Sequence, residues 1–209
     1  MDQKEVQYSH EWIYKLETPS HWILYWNQLD LVLNKSEISK EQLIMEVGVG
    51  SGLTAEYLKR KGYNVKTIDI DENKSPDIVA DITKYDLPNA DMYIAFEIFE
   101  HIPIDKVFEV WTKLASKKVP ELIFSVPYGH KTYLWAEIWL PIFGKKTINI
   151  SRKRKRIQSK HHHWEIGINN ISVSEIEKML KQSGYIVTHS YRYRNHHFFL
   201  TQLSGSHEV

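Results

Sequence analysis

Two groups of residues in this 209-residue chain could do chemistry. The first is the run Glu46-Val47-Gly48-Val49-Gly50-Ser51-Gly52. Glycines let a ligand approach the backbone, and a helix opening directly after them offers unpaired N–H groups, so the run suits a nucleotide-like ligand. A dinucleotide loop needs its third glycine three residues after its second. Here the spacing is Gly-x-Gly-x-Gly, with Leu53 where a small residue is required, which argues against NAD. The second group is Glu97, Glu100 and His101, followed downstream by His130 and the trio His161, His162 and His163. Imidazoles and carboxylates exchange protons near neutral pH, or bind a hard divalent cation. The chain has no cysteine, which excludes disulfides, thiolate zinc sites and cysteine nucleophiles, so any metal must use His, Asp or Glu.

The elements that must carry these groups follow from periodicity. Short apolar runs at 43–47, 65–70, 78–80, 92–96 and 122–126 read as buried strands, separated by helical stretches, which predicts parallel strands with crossover helices. The helix after the glycine loop runs from about Leu53 to a left-handed stop at Gly62, and 105–117 is a second crossover helix. Ser172 and Glu175 form a capping box for a third helix ending near Gly184, and 185–203 reads as a hairpin turning at Arg194 and Asn195. Upstream, Trp22, Tyr25, Trp26, Leu29 and Leu33 lie on one helical stripe, with Ser20 placed to cap it.

The glycine run, with an acid two positions before its first glycine, resembles motif I of the class I S-adenosylmethionine-dependent methyltransferases. Further features agree in order: Asp69 at the end of the second strand, Ala80-Asp81-Ile82 after the third, Phe96-Glu97-Ile98-Phe99-Glu100-His101-Ile102-Pro103 after the fourth, and Phe124-Ser125-Val126-Pro127 on the fifth. The Glu-x-x-Glu-His run is close to that of small-molecule O-methyltransferases and some RNA methyltransferases. The resemblance implies an α/β fold with a Rossmann-like seven-stranded sheet, parallel except for an antiparallel terminal hairpin, and helices on both faces. It implies S-adenosylmethionine held by Glu46, Gly48, Gly50, Gly52, Asp69, Asp81, Ile82 and Phe96, with Asp69 accepting from the ribose hydroxyls and Asp81 from the adenine amino group. Asp71, the second choice for the ribose, reads as a solvated turn residue, and Asp81 could instead cap the turn after it. The chain then divides as one methyltransferase domain: a helical extension (1–42), a cofactor-binding core (43–127), a substrate or lid insertion (128–171) and a C-terminal helix and hairpin (172–209). Its size suits a single core.

Methyl transfer from a sulfonium needs mainly alignment in a dry pocket, but an oxygen or nitrogen acceptor gains from losing its proton. The candidate bases are His101, Glu97, His162, His130, His161 and His163. Glu97, Glu100, His101 and His162 together resemble the metal site of small-RNA 2′-O-methyltransferases and also the layout of ubiquinone-pathway O-methyltransferases. Such a set would suit Mg2+ or Mn2+ acidifying an acceptor hydroxyl. The ordinary alternative is that Glu100 and His101 bond backbone while the histidines line a loop.

The insertion offers Tyr133, Leu134, Trp135, Ile138, Trp139, Leu140, Ile142 and Phe143, then Arg152, Lys153, Arg154, Lys155 and Arg156. The formal net charge is +1, yet residues 138–164 hold eight of the 27 basic residues and no acid, leaving 19 against 26 acidic residues elsewhere. That asymmetry marks a local surface for an acidic partner: a lid over a small or lipid-like acceptor, an anionic membrane surface, or RNA phosphates. Packing of the apolar residues on the sheet beneath a solvated loop would explain it without a partner. DNA is not expected, because the Asn/Asp-Pro-Pro-aromatic element of amino-methylating DNA enzymes is replaced by Phe96-Glu97-Ile98-Phe99. Trp12, Tyr14, His21 and Trp22 would be core in the ordinary reading, or aromatic surface near the cofactor mouth. No signal peptide or run of ~20 apolar residues is visible, so the expectation is a cytoplasmic protein, at most peripheral to a membrane. The reading is therefore a methyltransferase acting on oxygen of a small or lipid-like molecule, with an RNA 2′-O-methyltransferase or a non-catalytic S-adenosylmethionine-binding protein as alternatives.

Overall fold

The computed structural model describes residues 10–15, 17–157 and 159–205. Two helices, α1 (His10–Lys15) and α2 (Pro19–Asp30), lead through a π-turn (Leu31–Lys35) into the first strand. The central alternation is β1 (Leu43–Val47), α3 (Leu53–Arg60), β2 (Asn64–Asp69), β3 (Ile78–Val79), β4 (Met92–Phe96), α4 (Ile104–Ser116) and β5 (Glu121–Pro127). A long hairpin, β6 (His130–Leu140) and β7 (Gly144–Lys153), follows, and then α5 (Val173–Ser183), β8 (Tyr185–Tyr193) and β9 (His196–Leu203).

Seven strands form one sheet in the order β3-β2-β1-β4-β5-β9-β8. Strands β1 to β5 pair in parallel, and β9 runs antiparallel to both β5 and β8. Alternate side chains enter opposite faces. Met45, Tyr93, Leu122 and Phe124 join Trp111 of α4 and Leu180 of α5 on one side. Ile44, Met92, Ile94, Ile123 and Phe198 meet Leu24 of α2 and Leu58 of α3 on the other. The helices end where their sequence signals lie: Gly62 and Gly184 take positive φ, and the Ser172 side chain accepts from the Glu175 N–H. The order reverses between β1 and β4, and a crevice at that switch, outside the carboxyl ends of the strands, is where an open α/β sheet binds ligands.

Four local expectations are corrected. Thr18, not Ser20, caps α2, accepting from the His21 N–H, because Pro19 starts the helix and leaves Ser20 inside it. The buried face of α2 is Leu24, Gln28 and Leu29, while Trp22 and Trp26 stay exposed; aromatic residues at helical spacing define a stripe but not which stripe finds a partner. Of the N-terminal aromatic set, Tyr14 and Trp22 are exposed and His21 is half-buried, so they are not core; the Trp12 side chain lies outside the described residues. Residues 130–153 form a projecting two-stranded sheet whose apolar residues are largely exposed, rather than a loop packed on the main sheet.

Candidate active site

The glycine loop leaves the end of β1 and bends through positive φ at Gly48, Gly50 and Gly52. These three serve different ends. A Cβ on Gly48 would strike the Ile98 side chain at 2.0 Å, so this position is closed by the segment after β4. A Cβ on Gly50 or Gly52 would meet nothing within 4 Å, so the loop turns bare backbone toward open space at the switch point. Asp69, at the end of β2, braces the loop: Oδ2 accepts from the Val49 N–H at 2.8 Å and Oδ1 from the Asp71 N–H at 2.9 Å. A carboxylate has about four acceptor positions, so both bonds leave capacity for a ligand hydroxyl.

Lys74 reaches the loop from the turn after β2, donating from Nζ to the Gly50 carbonyl at 3.1 Å. It lies close to Asp69 and Asp71, whose charges oppose the downward pull of burial on its pKa. No sequence motif signals it. Asp71 is buried rather than solvated, because it caps its own turn by accepting from the Asn73 N–H. Asp81 accepts from the Thr83 N–H and hydroxyl and pairs with Lys84 at 2.8 Å; Ile82 beside it is buried and Phe96 half-buried.

Glu46 lies beneath the loop, 3% exposed, with Oε2 lacking a hydrogen-bond partner. Burial pushes its pKa up to about 8, against a partial offset from the Ala55 N–H. The folded protein therefore holds a proton that the unfolded chain, at 4.5, releases. Its stabilising contribution is complete below that unfolded value and is lost as pH rises through the folded one. Glu46→Gln is expected to flatten the fall in melting temperature between pH 4.5 and about 8; a slope identical to wild type would show that Glu46 does not titrate in this window.

The second cluster follows β4. Glu97 takes a left-handed φ of +56°, a conformation that costs a non-glycine residue energy and concentrates at functional sites. Its Oε1 accepts from the Ser125 hydroxyl at 2.7 Å and its Oε2 pairs with His196 Nδ1 at 2.9 Å. Burial would raise the Glu97 pKa, but the charge and hydrogen bond of His196, with Ser125, carry it below its ordinary value. For His196, burial pulls down and the Glu97 carboxylate more than compensates, so the imidazole holds its proton above the usual range. His21 of α2 feels the charges of both groups, and Tyr25 of the same helix hydrogen-bonds Ser51 of the glycine loop at 3.1 Å. The first long helix thus touches the glycine loop and lies near the Glu97–His196 pair. His196 carries no motif and sits 99 residues from Glu97; only the antiparallel pairing of β9 on β5, which sets it opposite Pro127, brings it in.

Behind this pair, Glu100, His101 and His162 each direct a ligand-type atom to a common point, all within 4.8 Å of one another. Glu97 belongs instead with Ser125 and His196. Trp164 holds the arrangement: its indole N–H bonds the Phe99 and Ile102 carbonyls at 3.1 and 3.0 Å, pinning residues 159–168 to the turn after β4. Glu165, which sequence reasoning missed, is buried between His162 Nδ1 at 2.9 Å and Arg154. His101 Nδ1 faces the His161 carbonyl at 3.1 Å, so the ring carries hydrogen there and presents the lone pair of Nε2. Burial raises the Glu100 pKa well above its usual value, with the Glu97 charge adding to it, and burial lowers that of His101, with His162 adding to it. His163 contributes only its N–H, to the Glu100 carbonyl. His130 stands apart, against Tyr128 and Ser151.

Solved structures similar in fold include magnesium protoporphyrin IX methyltransferase from Synechocystis with bound S-adenosylmethionine, 15% identical with a TM-score of 0.57, over 88% of this chain and 80% of that one. A glycopeptide N-methyltransferase complexed with S-adenosylhomocysteine is 11% identical with a TM-score of 0.58, over 90% and 99%. A methyltransferase from Mesorhizobium loti is 14% identical with a TM-score of 0.57, over 86% and 97%. The fold is that of the S-adenosylmethionine-dependent methyltransferases. Among curated proteins, ribosomal RNA small subunit methyltransferase A of Thermotoga maritima is 28% identical over 147 residues, covering 58% of this chain and 51% of that protein. The chain thus spans about half the length of that methyltransferase. No family model matches. Among the described residues, no helix is long and apolar enough to cross a membrane.

Proposed function

We propose that the chain transfers the methyl group of S-adenosylmethionine to an oxygen of a small or lipid-like acceptor, with His196 as the base and Glu97 as its orienting partner. The supporting observation is the Ser125–Glu97–His196 relay beside open-facing glycines at the strand-order reversal. When bound, S-adenosylmethionine supplies a methyl group already activated on sulfur. Gly50 and Gly52 admit it to the backbone, and Asp69 offers the remaining acceptor positions of a fixed carboxylate, while Asp81 and Ile82 mark the far end of the crevice. Glu97 holds the Nδ1 hydrogen of His196, which leaves Nε2 to take the acceptor proton and stabilises the imidazolium that results. Residues 1–42 and 128–171 would frame the acceptor, and 43–127 would hold the cofactor.

A metal-assisted reading is favoured by one specific observation, the convergence of Glu100, His101 and His162 with Glu100 Oε2 lacking a hydrogen-bond partner. Mg2+ or Mn2+ held there would acidify an acceptor hydroxyl, as an RNA ribose would require. The test is calorimetric titration with S-adenosylmethionine, and separately with NAD, in magnesium and after chelation, followed by turnover on small and RNA acceptors. Binding of the sulfonium alone, indifferent to chelation, with turnover of a small acceptor, is the expected result. Magnesium-dependent turnover of RNA would move the proposal to the metal reading. Tight binding without turnover would leave a non-catalytic S-adenosylmethionine-binding protein, and no binding by folded protein would refute all three.

A further inference from the structure

The β6–β7 hairpin forms a two-stranded sheet of its own, apart from the seven-stranded sheet. At ~3.4 Å per residue its strands are long enough to hold the tip well away from the base. The base is fastened to the body by Trp135 against Tyr193, Thr132 to Asn195 at 2.8 Å, and Arg192 to Ser151 at 3.2 Å. Register then sorts the side chains. Leu134 pairs with Ile150, Ala136 with Ile148 and Ile138 with Lys146, so one face carries Leu134, Ile138, Leu140, Ile148 and Ile150, each between 38% and 55% exposed. The other face carries Trp135, Thr147, Asn149 and the Glu137–Lys145 ion pair.

Exposure is greatest toward the tip: Ile142 is 88% exposed, Trp139 71% and Phe143 68%. Lys145 and Lys146 follow immediately, and residues 130–156 hold eight lysines and arginines against one acid. Exposed apolar surface of this kind needs an occupant. The charge balance selects an anionic one, and the apolar tip selects one with a hydrocarbon interior. Phosphate-binding on RNA would use the cations and leave Ile142 and Phe143 in water. We infer that this hairpin docks the protein on an anionic lipid surface, with Trp139, Ile142 and Phe143 entering the headgroup boundary and the lysines meeting lipid phosphates. The inference does not rest on the identity of the methyl acceptor.

Flotation of the whole chain with phosphatidylcholine–phosphatidylglycerol vesicles, and with phosphatidylcholine alone, tests it. Wild type is expected to float with the mixed vesicles only, and Ile142→Asp/Phe143→Asp to lose about tenfold or more in partitioning. Lys145→Glu/Lys146→Glu is expected to lose the salt-sensitive part. Because the chain has no cysteine, Ile142→Cys accepts a single polarity-sensitive fluorophore, whose emission is expected to shift to the blue on mixed vesicles. Equal flotation of wild type and the tip variant, or an unshifted fluorophore, overturns the inference. So does RNA binding that is lost in the lysine variant and retained in the tip variant. A concentration-dependent dimer broken by Ile138→Asp/Ile148→Asp would assign the apolar face to a second copy and overturn it as well.

Discussion

Asp69→Ala is expected to weaken S-adenosylmethionine binding by ~1 to 3 kcal/mol, between about fivefold and about 150-fold in Kd. The carboxylate accepts from the Val49 and Asp71 N–H groups at 2.8 and 2.9 Å, so its removal strips the brace between the glycine loop and the end of β2. It also removes the acceptor proposed for the cofactor hydroxyls. Both losses fall on binding, so kcat at saturating cofactor should change little. Asp69→Asn retains one carbonyl acceptor and should fall between. Calorimetry alongside thermal unfolding separates the causes: a lowered melting temperature with unchanged cofactor affinity would leave Asp69 a purely structural brace.

The largest effect on turnover is expected at His196. His196→Ala should lower kcat by ~10²–10⁴-fold, the usual worth of a positioned base, with cofactor affinity retained. The pH profile adds a signature that a structural role would lack. Burial lowers the His196 pKa and the Glu97 charge outweighs it, so the folded imidazole binds its proton more tightly than a free one. Activity should therefore rise with pH through an acid limb displaced above the ordinary histidine value. Glu97→Gln removes the raising charge, so the limb should move to lower pH while kcat falls through lost orientation. Full activity in His196→Ala together with loss of turnover in Glu100→Ala would reject the relay in favour of the Glu100–His101–His162 cluster.

The same chain shows what a sequence can reveal of a site. The glycine spacing at 48, 50 and 52, the acid at Asp69 and the apolar runs of β1, β2, β4 and β5 are local signals. Period-two and helical patterns, capping residues and positive-φ glycines act over a few neighbours, so the alternating core and terminal hairpin are legible in the sequence alone. The same holds for the capping box at Ser172 and the turn at Arg194 and Asn195.

What stayed hidden depends on distant chain segments meeting. His196 becomes a partner of Glu97 only because β9 inserts antiparallel beside β5. Lys74 reaches Gly50, and Glu165 gathers His162 and Arg154, through contacts that no spacing rule contains. Trp22 and Trp26 lie outside the buried face of α2 because Leu24, Gln28 and Leu29 are the residues that dock on the sheet. The apolar residues of the insertion could equally have been core. They are surface because the strands that bear them pair with each other rather than with the main sheet. By itself, the sequence determined the order of elements and the glycine loop at the end of β1, because those are written in neighbouring residues. Tertiary structure alone decided which ionisable groups face one another and which apolar face reaches solvent, because those follow from strand order and packing across the whole chain.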